Sequence, residues 1–451
     1  MNALLPKGPT ALSNLLHVIL RFRSRPYVLV GDLKKAYNSI KTSPLDMHLR
    51  RLLWYKPEEL SKENPKLSTF GMLTVAFGDT PAQYYLEACK EQISKYCADV
   101  LKNKELAYKI LSESYVDDLV MSFELYSEAE KFAKDLPEAF HSIGFSIKEI
   151  ILAGVKCNVD HPSQCLFGHI YHFNTDKLEI KFVVNLSKKK RNQRTAPNLT
   201  SNSDLSQIVL TKRTYMSLLG SQYDPLGLAS VFLSKYKIFL HQLYKKEYEM
   251  DEPLNTEDSR VGMKLLKELI SASESKLLFP RGNKSEGYKL VELVCFADAS
   301  TQCLQVVLYG VYRNDRKETH TNLLSAKNKI CNNTVPRNEL NALVAACRLV
   351  KNFVIAIEDI HDLNSINFIS DSTCAIDMLG KTFVTKDIYI ANRNSEIKVQ
   401  IKNFRKQCNF FWVDSANNIA DFGTRTNCLS EGMEEDSCEV GGGIPVLGRG
   451  V

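Results

Sequence analysis

The sequence predicts an α+β unit, a mostly helical middle segment and a C-terminal α/β unit. Three observations predict this. In the first third, two apolar strand patterns meet acids, Asp32 and the pair Asp117-Asp118, with amphipathic helical patterns at 82–101 and 126–143. A polar stretch at 187–206 opens on the basic run Ser187-Lys188-Lys189-Lys190-Arg191-Asn192-Gln193-Arg194 and reads as a linker or exposed loop. From Leu290 the patterns run three strands, helix, strand, helices, strand, helix.

The 451 residues predict two or three domains, and a hydrophobic content of 44% is ample for real cores. A net charge of +6 fits an ordinary basic enzyme as well as a nucleic-acid binder. The twelve cysteines are scattered. Cys89/Cys97, Cys157/Cys165 and Cys295/Cys303 are eight apart and no Cys-x-x-Cys occurs, which argues against a zinc ribbon and a disulfide scaffold. Reduced thiols in an intracellular protein, in a cytoplasmic particle or the nucleus, are expected. No apolar run is expected to span a membrane. Lys7, Arg21, Arg23 and Arg25 surround only a short apolar stretch, so no signal peptide is expected either.

Asp117 and Asp118 lie in Ser114-Tyr115-Val116-Asp117-Asp118-Leu119-Val120-Met121. Acids between β-prone residues predict a hairpin with carboxylates at its tip. Adjacent anions repel, and a hard divalent cation such as Mg²⁺, which takes one or two carboxylates plus substrate phosphates, offsets that cost. A solvated turn accounts for the same residues. Asp32 ends the apolar run Tyr27-Val28-Leu29-Val30-Gly31. It is either a metal ligand or the cap of a helix beginning at Leu33. Asp32 and Asp117 together can bind two metals that clamp the attacking and leaving oxygens of phosphoryl transfer.

The segment at 210–278 reads as mostly helical, and its aromatics and lysines at 236–248 suit either a nucleic-acid-facing helix or helix packing. Strands are predicted at 290–299, 303–312 and 319–326, then a helix at 336–357, a strand at 365–370, a helix at 392–406, a strand at 409–413 and a helix from Ile419. This is the order of a ribonuclease H-like fold. Acids fall where that fold needs them: Asp298 ending the first strand, Glu339 in the first turn of the long helix, Asp371 ending the fourth strand and Asp421 after the last. At one sheet edge they can hold two metals and activate a water for phosphodiester cleavage. Taken singly, Glu339 suits a helix-dipole partner and Asp421 a cap.

Five further segments carry a resemblance. Asp32 with Tyr37, Phe77-Gly78-Asp79-Thr80-Pro81, Tyr115-Val116-Asp117-Asp118, Gly144-Phe145-Ser146-Ile147-Lys148 and Leu166-Phe167-Gly168-His169-Ile170 resemble reverse transcriptase palm motifs in their usual order. Thr211-Lys212-Arg213 followed by Tyr223-Asp224-Pro225-Leu226-Gly227-Leu228 resembles the BEL/Pao class of long-terminal-repeat retrotransposon polyproteins. The resemblance runs over about 5–425 and implies a palm with truncated fingers at 1–185, linker and thumb/connection at 186–288, a ribonuclease H-like domain at 289–427 and a flexible tail at 428–451. It implies an RNA-directed DNA polymerase and ribonuclease H using Mg²⁺ or Mn²⁺, with RNA template, DNA primer and dNTP as partners. Asp32, Asp117 and Asp118 would serve polymerisation, and Asp298, Glu339, Asp371 and Asp421 cleavage. Tyr37 would lie under the sugar and exclude a 2′-hydroxyl, or pack the core, or both. Gly78 would let backbone approach template or primer, or serve a turn, and Tyr115 and Lys148 would contact substrate.

Three features depart from the pattern. Asp32 follows Met1 by only about thirty residues, where the family has longer fingers; no His lies between Asp371 and Asp421 or beyond; and no integrase follows. A polyprotein fragment or a non-catalytic nucleic-acid-binding relic is the expectation these raise. A Pao-type aspartic peptidase is the third reading. It needs Asp-Thr/Ser-Gly, and Asp79-Thr80-Pro81 and Asp371-Ser372-Thr373 lack the glycine.

Overall fold

The computed structural model describes residues 2–154, 162–186, 198–282, 287–380 and 385–425. The basic run at 187–194, Cys157 and the tail at 428–451 lie outside them. The chain divides into two compact units between residues 161 and 162.

In the first unit, Tyr27–Leu33 forms β1. A two-stranded ribbon follows, β2 (Arg51–Tyr55) with β3 (Leu67–Gly71). Then come β4 (Ser114–Tyr115), β5 (Asp118–Phe123) and β6 (Ile147–Ala153). The main sheet has the order β4-β5-β1-β6, antiparallel throughout. Central placement explains the continuous apolar run of β1, since Val28, Leu29 and Val30 are covered on both faces. Helices Ala82–Asp99 and Tyr126–His141 form where the periodicity predicts them, and Leu86, Ile93, Phe132, Leu136 and Phe140 join Leu29 and Met121 in one core. β1 does not stop before Asp32 but runs on to Leu33. No helix starts at Leu33; residues 34–36 turn into a short 3-10 helix, Tyr37–Ser39, so the capping role for Asp32 is set aside.

The second unit opens with β7 (Ser163–Leu166), β8 (His169–His172) and β9 (Lys177–Ile180). After helices Lys212–Gly220, Ser230–Lys245 and Thr256–Ser275, β10 (Leu277–Pro280) returns to pair with β9. This pairing draws 163–180 into the second unit, ahead of the boundary expected at 185. In the middle helices Tyr236 is buried and Tyr215 meets Phe239 edge-on at 4.9 Å, so packing accounts for Tyr236 and Phe239, while Tyr244 is exposed.

β11 (Lys289–Ala299), β12 (Cys303–Arg313) and β13 (Thr319–Ile330) form an antiparallel meander. β14 (Ser365–Ser370) adds parallel to β11 and β15 (Gln407–Trp412) parallel to β14, giving the order β13-β12-β11-β14-β15. The helix Val335–Ile357 begins one residue earlier than expected. Glu339 is therefore its fifth residue, beyond the first turn, where a dipole partner gains little. This helix is long and apolar enough to cross a membrane by length and composition, against the expectation that no such run exists. It is a core helix here, because Leu340, Leu343, Val350 and Ile357 are fully buried. The helix expected at 392–406 is Ile388–Phe404, and the last expected helix is a 3-10 turn, Ile419–Gly423. Cys295, Cys303 and the other described cysteines are free thiols.

Candidate metal centres

In the first unit the β1–β5 register sets Asp32 directly opposite Asp118. Tyr115 pairs with Asp118, leaving Val116-Asp117 as the hairpin tip. Val116 has φ 54°, a left-handed conformation costly for a β-branched residue and found mostly where function fixes the backbone. The Leu33 amide donates to the Asp117 carbonyl at 3.1 Å, which fastens the tip to β1. Burial raises the Asp32 carboxyl above its usual range; Asp117 adds to this and Lys148 on β6 opposes it. Asp118 is pushed up to about 7, first by burial, then by Asp117 and Asp32, with Lys90 opposing. The structure thus brings Asp32, Asp117, Asp118 and Lys148 into one field.

Tyr37 joins them. Burial raises its phenol, with Asp117 and Glu87 adding to the effect. Its ring packs edge-on to Phe77 at 5.5 Å. Gly78 has φ +86° and no atom within 4 Å of where a Cβ would sit, so its backbone needs glycine and its surroundings are open. Tyr115 is half-buried beside Asp118. Sequence reading missed Gln83, Glu87 and Lys90. Glu87 and Lys90 form a buried ion pair at 3.1 Å. Their only sequence signal is polar spacing i, i+4, i+7 in a helix, which ordinarily marks a solvated face.

The second centre is tighter. Asp298, Glu339 and Asp371 each offer a ligand atom, and these atoms all lie within 4.8 Å of one another. Among the described residues no other trio of acids, His or Cys does this, the palm acids included. Asp298 sits near the end of β11 and Asp371 just past its parallel neighbour β14, so topology places both at one sheet edge. Burial pushes Glu339 up to about 9, with Asp298 and Asp371 adding to it. Its Oε2 is buried without a hydrogen-bond partner among the described residues. Asp298 is pushed up to about 6, mainly by burial, against a hydrogen bond from Thr424. The Asp371 carboxylate is oriented on both oxygens: Ser415 donates to Oδ2, and Asn418 Nδ2 to Oδ1 at 3.1 Å. Asp421 adds to the field at Asp298 and Glu339, yet it stands outside the trio and pairs with Arg425.

This donor set fits a hard divalent cation. It is all carboxylate, one buried oxygen has no partner among the described residues, and two acids are pushed toward protonation by burial and by their anionic neighbours. A stability consequence follows by linkage. Both folded-state pKa values are raised, so their contribution to stability is full below the unfolded values and is lost as pH rises. In chelator the melting temperature of the second unit should fall between about pH 4.5 and about 9, the window set by Glu339. Mg²⁺ should raise it and flatten the slope, and Asp371→Asn should shrink both effects. A melting temperature indifferent to Mg²⁺ at pH 8 would rule out a metal at this trio.

Residues 211–372 match the family model described as a Pao retrotransposon-like RNaseH-like domain. Among solved structures, the chain is similar to a foamy viral protease-reverse transcriptase in complex with dsDNA, with TM-score 0.52 and 15% identity, covering 92% of this chain and 73% of that one. It is likewise similar to that enzyme in complex with an RNA/DNA hybrid, with TM-score 0.51 and 14% identity, covering 90% and 46%. A dRH form in complex with dsDNA gives TM-score 0.51 and 16% identity, covering 91% and 60%. The chain thus spans between 46% and 73% of the length of these structures. No curated protein matches it in sequence. The chain thus shares the fold of these reverse transcriptase structures over nine-tenths of its length, and its residues 211–372 match a Pao retrotransposon-like RNaseH-like domain.

Proposed function

We propose that the chain acts on nucleic acid by metal-assisted phosphoryl transfer, as an RNA-directed DNA polymerase and as a nuclease on the RNA of an RNA/DNA hybrid. The observation that carries this reading is the trio Asp298, Glu339 and Asp371, gathered from a strand, a helix and the turn after a second strand to within 4.8 Å. In this reading the first unit with β7–β9 is the palm, the three middle helices are the thumb and connection, and RNA template, DNA primer and dNTP are the partners.

Asp298, Glu339 and Asp371 would hold Mg²⁺ or Mn²⁺, with Asp421 a fourth ligand once released by Arg425. Asp32, Asp117 and Asp118 would do so in the palm. The bound ions would supply an ionised nucleophile and neutralise charge on the transferring phosphoryl group. The chain's own side chains set the geometry. Ser415 and Asn418 fix the Asp371 carboxylate, Tyr37 would lie under the nucleotide sugar, and Lys148 and Lys90 temper the repulsion among the palm acids.

A catalytically dead, nucleic-acid-binding relic is the second reading, favoured by one observation: Asp421 is neutralised by Arg425. The peptidase reading has no such support. Asp79 is locked in a buried ion pair with Arg50 at 2.6 Å, and Asp371 belongs to the carboxylate trio.

Primer extension by the purified chain, with Mg²⁺, tests the polymerase half. Asp117→Asn should abolish extension while the melting temperature holds or rises, because one like charge leaves the metal-free site. Undiminished extension by that variant would defeat the assignment. A parent chain that binds a hybrid but neither extends nor cleaves it would establish the relic reading instead.

A further inference from the structure

We infer that Gln83 is a positioning residue that locks Tyr37 in place and so sets discrimination between deoxy- and ribonucleotides; the inference rests on the polymerase reading. Gln83, Glu87 and Lys90 share one face of the helix Ala82–Asp99. Lys90 is 1% exposed and Glu87 5%. Lys90 donates to Glu87 Oε1 at 3.1 Å, Gln83 Nε2 donates to the same oxygen at 3.1 Å, and Tyr37 donates its hydroxyl to Gln83 Oε1 at 3.1 Å.

The direction of this chain is forced. Lysine can only donate and an ionised glutamate can only accept. The Gln83 amide must therefore turn its nitrogen to Glu87, which leaves its oxygen for Tyr37. The phenol proton is committed to the helix. No other hydrogen bond of the Tyr37 hydroxyl occurs among the described residues, while the ring meets that of Phe77 in a T-shaped contact. A buried ion pair is a poor source of stability against apolar residues of the same volume. Here it has a second effect, since it prevents the amide from flipping and so keeps the tether on Tyr37. A ring tethered at its oxygen is restrained from swinging aside. A ring that can swing makes room for a 2′-hydroxyl.

The test compares kcat/KM for a dNTP and the matching rNTP on one primer–template, together with Mg²⁺-dependent binding of each nucleotide to the complex with a chain-terminated primer. Gln83→Leu should lower the preference for dNTP by roughly two- to tenfold, the worth of one hydrogen bond. The change should fall mainly on the KM for rNTP. Tyr37→Phe keeps the ring and breaks the same bond from the other side, so it should show a similar loss. The double variant should lose no more than either single one. Should Gln83→Leu unfold the palm, Tyr37→Phe with Gln83→Met carries the comparison. A parent that discriminates beside a Gln83→Leu variant that discriminates equally overturns the inference and leaves the polymerase reading standing. A parent that binds neither nucleotide overturns both.

Discussion

Asp371→Asn is expected to abolish divalent-metal-dependent cleavage of the RNA strand in an RNA/DNA hybrid. Three features of the site set the size of the effect. Asp371 belongs to the one described trio of potential ligands within 4.8 Å, so an amide there removes one of its three carboxyl groups. Both of its oxygens are held by donors, Ser415 and Asn418, so the carboxylate is oriented before a cation arrives. Third, the amide presents N–H groups where the site needs lone pairs. Loss of an outer-shell partner alone costs a metal site about 10–100-fold. Ser415→Ala or Asn418→Ala should fall in that range, and Asp371→Asn well beyond it. Hybrid binding should survive, because most contacts between a protein and nucleic acid are to the sugar–phosphate backbone, away from the reacting bond. Gel mobility and cleavage measured on one hybrid separate the two. Cleavage by Asp371→Asn at more than about a tenth of the parent rate would remove Asp371 from the chemistry.

Much of the fold was legible because its signals are local. The meander, long helix and parallel strands of the last domain follow period-2 and period-3.6 patterns, and the topology alone then gathers Asp298, Glu339 and Asp371. The hairpin bearing Asp117 was legible from its β-prone flanks. The illegible parts depend on partners distant in sequence or on residues that break the usual rule for charge. β10 pairs with β9 across about a hundred residues, and nothing in Leu277–Pro280 names its partner. Glu87 and Lys90 look like a solvated face because such residues are seldom buried unless paired. Only the structure shows that they are paired. Asp421 was placed with the other acids by spacing, which could not show Arg425 one turn later engaging it.

Arg281→Met should destabilise the β7–β10 sheet by about 3–5 kcal/mol, the cost of leaving a buried charge without its partner. Arg281 is fully buried and Asp176 is 3% exposed. The guanidinium meets the carboxylate twice, Nε to Oδ1 at 2.6 Å and NH2 to Oδ2 at 3.3 Å, and the Arg281 amide donates to the Asp176 carbonyl at 3.0 Å. Tyr171, also fully buried, donates its hydroxyl to Asp176 Oδ1 at 2.8 Å. Asp176 lies in the turn between β8 and β9 with φ 53°, and Arg281 directly follows β10. The pair therefore ties a hairpin turn to a strand end that reaches the sheet only after the three middle helices. Methionine fills much of the arginine volume, so the loss should come from the stranded carboxylate and not from a cavity. Adding Asp176→Asn should recover a large part of it. Asparagine tolerates the left-handed turn, still accepts from Tyr171 and carries no charge. Amide hydrogen exchange along β8–β10 reads the effect locally, where a whole-chain melting curve would mix two units. If protection there is unchanged in Arg281→Met, or if the double variant is no more stable than the single one, the ion pair is not what closes this sheet.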